Sequence, residues 1–311
     1  MTDNIDAQLG FAPDYDAPVP YMKRTRDYYT AIGYTTPYRW AHYLEAPFQP
    51  LKKPLAQSRV TLITTAAPYD PAKGDQGPGA KYNGGAKFYQ VYEGNTSKQH
   101  DLRISHIGYD RIHTKAEDSG TWFPLPQLIK AKASGRIGEV APRFFGAPTN
   151  RSHRITVDVD APEILKRCRE DKVDVAILVP NCPVCHQTTA LTARHLEANG
   201  IPTVVMGCAK DIIEHAAVPR FLFSDFPLGN SGGKPHDVAS QAQTLELALR
   251  VLESAIGPQT TMQSPLRWNA DGKWKLDYNN IETMNPDELA RRRAEFDREK
   301  EVARGLRVNA A

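Results

Sequence analysis

The chain predicts an α/β protein built on an open, mostly parallel, doubly wound sheet, and three observations carry that prediction. The run Val173-Asp174-Val175-Ala176-Ile177-Leu178-Val179 is apolar enough for a strand covered on both faces. Residues 187–199 read as an amphipathic helix stopped by Gly200, and residues 202–206 return as a second apolar strand. Strand, helix and strand of these lengths form a βαβ unit, whose two strands run parallel. With 311 residues, 41% of them hydrophobic, the chain can bury a large core.

Residues 1–57 are rich in proline and aromatics, among them Tyr15, Tyr21, Tyr28, Tyr29, Tyr34, Tyr38, Trp40, Tyr43 and Phe48, with a helical suggestion only at 25–32. They read as an arm that wraps a core or a neighbouring subunit, which predicts a homo-oligomer. Residues 59–66 form a buried strand, and the loop 68–85, with five glycines and three prolines, cannot continue it. Further strands are expected at 88–92, 102–106 and 137–145, with a helix at 126–134. Asp160-Ala161-Pro162-Glu163 has the residues of a helix start, leading to Ile164, Leu165 and Cys168 on one face. After Phe223 the glycine-rich loop 227–234 precedes a helix whose apolar stripe is Val238, Ala242, Leu245, Leu249, Leu252 and Ile256. Beyond Pro258 the chain is polar and closes with a charged helix from Asn285 to about Arg304. The expected division is an arm at 1–57, an α/β region at 58–257 with halves 58–150 and 151–257, and a tail at 258–311.

Composition excludes several classes. Lysine plus arginine number 39 against 36 acids, a charge of +3 with no basic block, so nucleic acid is not implied. The acidic start Met1-Thr2-Asp3-Asn4-Ile5-Asp6 lacks the basic-then-apolar plan of a secretory signal, and no apolar run approaches membrane-spanning length. A cytoplasmic location follows as the expectation. Four cysteines, at 168, 182, 185 and 208, then read as catalytic, metal-binding or buried, without a stable disulfide framework.

The chemistry concentrates at Cys182-Pro183-Val184-Cys185-His186, where the strand turns into the helix. The first N–H groups of a helix carry partial positive charge, which favours thiolate over thiol. His186 adds a charge or takes a proton there. Cys182, nearest the strand end, is the expected nucleophile and Cys185 the resolving thiol. His106, at another expected strand end, reads as an acid or base oriented by Asp110. Thr65 and Cys208 end two more strands and read as supporting groups. The loop of Gly229, Asn230 and Gly233 offers backbone N–H groups to a carboxylate or phosphate, with Lys234 beside it, although it lacks the ending of a nucleotide-binding P-loop. Competing readings are zinc held by Cys182 and Cys185 with Cys208, His106 or His186, and the C-x-x-C-H pattern of covalent haem attachment, which the missing export signal argues against.

Val60-Thr61-Leu62-Ile63-Thr64-Thr65-Ala66-Ala67, Ile104-Ser105-His106-Ile107-Gly108-Tyr109-Asp110, the Cys182–His186 motif, Ala198-Asn199-Gly200-Ile201-Pro202-Thr203 and Pro227-Leu228-Gly229-Asn230 together resemble the selenoprotein B family of glycine, sarcosine and betaine reductases, including the selenoprotein subunit of D-proline reductase. The resemblance runs from about Arg59 to Ile256 and leaves the arm and tail outside. Family members carry selenocysteine at the first position of the pair, so the resemblance assigns the nucleophile to Cys182 and the second thiol to Cys185. It implies reductive cleavage of a carbon–nitrogen bond next to a carboxylate, with partner subunits, one of them pyruvoyl-bearing in D-proline reductase. Cysteine in place of selenocysteine is a departure that points to a more activated substrate or a different reaction.

The expected protein is therefore a thiol-dependent reductase acting on a small carboxylated or amine-containing substrate. No tightly bound cofactor is expected, and an external dithiol would supply electrons directly or through a partner subunit or thioredoxin-like donor. Two alternatives differ in kind. One is a racemase, isomerase or lyase using Cys182 with Cys208 or His106 as opposed acid and base. The other is a zinc-binding or redox-sensing protein without catalysis.

Overall fold

The structure, a computed structural model, describes residues 16–309 apart from 35, 37, 78, 79 and 81; the acidic start 1–6 and Tyr15 lie outside the described residues. The strands are β1 (Arg59–Thr64), β2 (Ala67–Pro68), β3 (Tyr92–Asn95), β4 (Leu102–Arg103), β5 (Glu139–Val140), β6 (Arg143–Gly146), β7 (Val175–Val179), β8 (Thr203–Gly207), β9 (Arg220–Phe223) and β10 (Thr260–Gln263). The helices are α1 (Tyr21–Ala31), α2 (Leu125–Ala133), α3 (Ala161–Glu170), α4 (Pro183–Ala198), α5 (Lys210–His215), α6 (Val238–Ser254) and α7 (Pro286–Asn309).

The main sheet is open, with order β10-β9-β8-β7-β1-β6-β3 and β5 paired to β1. All its pairs are parallel except β3 against β6. Side chains alternate along each strand, so one face is covered by each set of helices. Val60, Leu62, Val175 and Ile177 meet Leu128 of α2 and Leu245, Leu249 and Leu252 of α6. Ile63, Ala176 and Leu178 meet Ile164 and Cys168 of α3 and Ala190, Ala193 and Leu196 of α4. Each large aliphatic side chain buried this way contributes about 1.5–3 kcal/mol. From β1 the chain moves to β6 on one side and then crosses to β7 on the other. The crevice beyond the carboxyl ends of β1 and β7 is thus the topological switch point, where ligands bind in open α/β sheets.

Local departures from the expected elements have physical causes. The strand expected at 88–92 runs instead from Tyr92 to Asn95 as an edge strand, and Phe88 packs its ring edge-on to Tyr92 at 5.0 Å. The strand expected at 102–106 shrinks to β4, paired with β2 in a separate two-stranded sheet. Arg111 donates from Nη1 to the His106 carbonyl at 2.7 Å and from Nη2 to that of Ile104 at 3.3 Å, which takes those carbonyls out of any ladder. Pro142, lacking an N–H, separates β5 from β6 within the expected strand 137–145. Asp160 is no helix cap: helical structure begins after Ser152, whose Oγ accepts from Ile155 N, and passes through a π-helical stretch, Thr156–Asp160, into α3. Pro162 cannot donate to the preceding turn, and the wider π turn accommodates it.

Helix α4 starts at Pro183 rather than at 187, so Cys185 and His186 lie in its first turn. Val238, Ala242 and Ile256, expected on the apolar stripe of α6, are exposed. The polar tail supplies β10, the parallel neighbour of β9, as well as α7.

The arm packs on its own chain. Val19 and Tyr21 join a cluster with Cys208, Ile212, Phe226, Trp274 and Tyr278. Further along, Ala41 N donates to Gln187 Oε1 at 2.7 Å and Gln49 N to Glu197 Oε2 at 2.6 Å. Helix α7 returns Phe296 against Tyr28 and Ile32, with Tyr29 and Tyr34 packed beside them.

Candidate active site

Cys182 caps helix α4 and keeps extended backbone, φ −135° and ψ 171°, while its Sγ accepts from Cys185 N at 3.2 Å. The two sulfurs are joined in a disulfide with Cα atoms 4.9 Å apart, a separation within the usual range for such a bond. This one bridge stands where no stable disulfide framework was expected. The sulfurs are not equivalent. Cys182 lines a cavity of about 470 Å³, whereas Cys185 is fully buried behind it and accepts from Thr149 Oγ1 at 3.5 Å.

The turn is fixed from three sides. Asn181 N donates to Thr65 Oγ1 at 3.1 Å, which ties the end of β7 to the end of β1. His186 bonds the Cys182 carbonyl through Nδ1 at 2.8 Å, and its Nε2 accepts from Cys208 N and Ala209 N at 2.9 and 3.1 Å. Both ring nitrogens are thus spent. Burial holds the imidazole down to about 4, so at neutral pH His186 supplies neither the charge nor the base expected of it. On the third side Gly108 presses against the turn: a Cβ there would meet Pro183 Cδ at 2.5 Å and Cys182 Cβ at 3.5 Å.

His106 does reach the thiols, although β4 lies outside the main sheet. A ring nitrogen of His106 and the sulfurs of Cys182 and Cys185 lie within 4.8 Å of one another. Burial, with Lys87 and Arg111 nearby, holds His106 down to about 3, and its Nδ1 has no hydrogen-bond partner. It offers a neutral lone pair. Asp110 orients a different histidine than expected: its carboxylate meets His113 Nδ1 at 2.9 Å and accepts from the N–H groups of Ile112 and His113.

The remaining expected residues fall elsewhere. Gly232 N donates to Thr121 O at 2.6 Å, Gly233 N to Asn230 O at 3.3 Å and Asn230 N to Pro227 O at 3.2 Å, so the Gly229–Gly233 loop spends these groups on its own turn and on the neighbouring Thr121 segment. Lys234 donates its N–H to Ser240 Oγ and does not line the cavity. Cys208 lies 3.7 Å from Ser231 Oγ, away from the cavity wall, and burial pushes its thiol up to about 12. It is also outside the His106, Cys182 and Cys185 group, which alters the zinc set expected from sequence. Cys168 is core, its thiol likewise raised by burial to about 12.

Sequence reasoning missed most of the cavity wall. Thr149, Asn150 and Arg151 follow the carboxyl end of β6, and the strand-end rule applied to that strand would have found them. Lys87, Tyr278, Lys300 and Arg304 come from a loop and the tail, where no motif marks them. Lys87, Arg151, Lys300 and Arg304 line this cavity, and no aspartate or glutamate does among its described lining residues. Arg151 has left-handed backbone, φ 55°, and its guanidinium lies 5.7 Å from the Tyr29 ring centroid with no carboxylate partner among the described residues.

Fold and site together define a doubly wound α/β protein with a disulfide-linked cysteine pair at its switch point and a cation-lined cavity over one sulfur. The chain is 26% identical over 194 residues to the D-proline reductase subunit gamma of Acetoanaerobium sticklandii, which covers 62% of this chain and 77% of that subunit. It is 24% identical over 224 residues to the glycine reductase complex component B subunit gamma of Peptoclostridium acidaminophilum, covering 68% of this chain. The match spans about half of that second subunit, 49% of its length. Both similarities support the selenoprotein B-like family read from the sequence, and with it a reductase-type function. No family model and no solved structure matches the chain. Among the described residues no helix is long and apolar enough to cross a membrane.

Proposed function

We propose that this chain is the thiol-bearing component of a dithiol-dependent reductase whose substrate is a small carboxylate with a leaving amine or similar group. The observation that carries this reading is the asymmetry of the pair: one sulfur faces a cation-lined cavity and the other waits behind it. In the reduced protein the Cys182 thiolate attacks the substrate carbon next to the carboxylate, forming a C–S bond as the C–N bond breaks, and the amine leaves with a proton. Cys185 then attacks Cys182 Sγ. The S–S bond forms, the C–S bond breaks, and the carbon takes the electron pair and a proton. The net change is a two-electron reduction of substrate balanced by oxidation of two thiols, and an external dithiol resets the pair.

Arg151 and Lys87 are the groups that would hold the carboxylate, in the place first given to Lys234 and the glycine loop. The two relatives are named as subunits of larger reductases, and a partner subunit is proposed here on that ground, as electron donor or as completion of the site. A homo-oligomer remains part of the proposal. The Cys208 acid–base alternative has little support, because that thiol does not line the cavity.

The test is a single turnover. Pre-reduced, desalted protein is mixed with a panel of α-amino and betaine-type carboxylates, and released amine and the Cys182–Cys185 disulfide are measured under anaerobic conditions. One amine per disulfide, absent in Cys182→Ser, is expected. Disulfide formation at the substrate-free rate, with no amine and no mass adduct on Cys182 across the panel with and without candidate partner subunits, would sink the reading.

A further inference from the structure

We infer that the reduced form of this site is a zinc site, in which Cys182, Cys185 and His106 hold one Zn²⁺ with its fourth position open to the cavity, so that metal and disulfide are mutually exclusive states of one cysteine pair. This rests on the reading of the pair as reducible: the zinc dithiolate is the resting reduced state, and the ion leaves before Cys185 closes the disulfide. In the disulfide form a His106 ring nitrogen and the two bonded sulfurs lie within 4.8 Å of one another, and all three residues are buried, so reduction releases two thiols beside the imidazole. Their types suit the ion: two thiolates and a neutral imidazole give a tetrahedral site three protein donors, as in open zinc centres. Two residues between the cysteines is the spacing that zinc sites commonly use.

Two further observations point to a ligand. His106 is 4% exposed, and its Nδ1 has no hydrogen-bond partner, a state that burial makes costly. Each sulfur accepts one hydrogen bond, Cys182 from Cys185 N and Cys185 from Thr149 Oγ1, which disperses charge when both are thiolates. Electrostatics sets the ligand count. A bare divalent cation beside Lys87 and Arg151 would be repelled, and two thiolates neutralise it. Binding is written as Zn²⁺ plus two thiols and an imidazole giving the neutral dithiolate complex and two protons. Formation of the disulfide removes both thiolates and hence the site. Cys182 and His106 both line the cavity, which places the open position toward an anionic ligand.

The experiment uses the full chain, reduced with a phosphine and stripped of metal, titrated with Zn²⁺ against a chromogenic chelator and with Co²⁺ as a spectroscopic stand-in. One equivalent bound to the reduced protein, with thiolate-to-cobalt charge transfer and tetrahedral visible bands, and none bound to the disulfide form, is expected. His106→Ala should weaken binding at least about tenfold, since even outer-shell losses cost that much. Cys185→Ser should abolish it, while Cys208→Ser should leave it unchanged. In case a variant misfolds, wild-type protein is also alkylated with and without zinc, and protection of both Cys182 and Cys185 by mass spectrometry is expected. Equal zinc uptake by the reduced and disulfide forms, or alkylation at the same rate with zinc present, overturns the site. Because no substrate enters these measurements, their failure leaves the single-turnover test of reductase activity standing.

Discussion

Gly108 gives the sharpest test of how the fold holds the reactive turn. An alanine there places a methyl 2.5 Å from Pro183 Cδ, whereas carbon atoms rest at about 3.5–4.0 Å, so something must move by about 1 Å. Backbone strain plays no part, because Gly108 is not among the residues with positive φ. The loop cannot easily retreat: Tyr278 donates its hydroxyl to the Gly108 carbonyl at 2.8 Å. Displacement therefore falls partly on Pro183, the first residue of α4, and through it on Cys182. Overpacking of this kind costs about 1–3 kcal/mol of stability. A misplacement of about 1 Å at a reacting group costs roughly 100-fold in rate. Gly108→Ala should thus lose far more in the rate of Cys182–Cys185 disulfide closure, followed by quenched-flow alkylation, than in urea midpoint. Gly257→Ala is the control, since nothing lies within 4 Å of its added Cβ, and both readouts should stay at wild-type values. A Gly108→Ala protein that closes its disulfide at the wild-type rate would refute the claim that this contact positions the turn.

Arg151→Gln should raise KM for a carboxylated substrate by at least about tenfold with a smaller change in kcat, as expected when uniform binding is removed, and steady-state kinetics separates the two. The Arg220–Glu197 pair, 2.6 Å apart and almost fully buried, also ties down the arm through Arg220 Nη2 and the Gln49 carbonyl. Breaking one partner of such a pair costs about 3–5 kcal/mol, so Arg220→Met should show that loss in chemical denaturation, and a loss under about 1 kcal/mol would contradict the assignment. For pH, His106 is depressed to about 3 in the fold against an ordinary value near 6.5, so the unfolded chain binds the extra proton between those values and stability falls as pH drops through that window. The stability difference between wild type and His106→Gln should therefore shift by about 2 kcal/mol against wild type from pH 8 to pH 5, and parallel pH curves for the two proteins would show that His106 titrates normally.

The elements that sequence revealed best are those whose identity is set by burial on two faces. The apolar runs at β1, β7 and β8 have no alternative to a covered parallel sheet, and the position of Cys182 at a strand end follows from them. The elements it hid are governed by single contacts. Aromatic residues at 88–92 look like a strand, yet Phe88 packs edge-on to Tyr92 before the strand begins. Asp110 looks like the partner of His106 because it follows four residues beyond that expected strand end, but the turn that Arg111 stabilises swings it to His113. His186 sits next to the pair in sequence and looks reactive. It is instead the brace between α4 and the end of β8, and a Cβ on Gly207 would meet its ring at 2.9 Å.

The cavity divides by origin in a way that bears on specificity. Its reactive part comes from the α/β core: Cys182, Pro183, His106 and Gly108, with Thr149 behind the second sulfur. Much of its aromatic and cationic wall comes from outside residues 59–256, where the motifs of the resemblance lie: Tyr29 and Tyr38 from the arm, and Tyr278, Phe296, Lys300 and Arg304 from the tail. Phe296 is held by edge-on contacts to Tyr29 and Tyr34 at 5.4 and 5.0 Å, so arm and tail close the cavity as one unit. This wall also touches the reactive part, because Ile107 belongs to the same aromatic cluster and Tyr278 donates to the Gly108 carbonyl, so wall and turn are set together. Similarity to the two reductase subunits then carries no guarantee of a shared substrate, and the charge and size that the cavity accepts are better read from the arm and tail than from the cysteine motif.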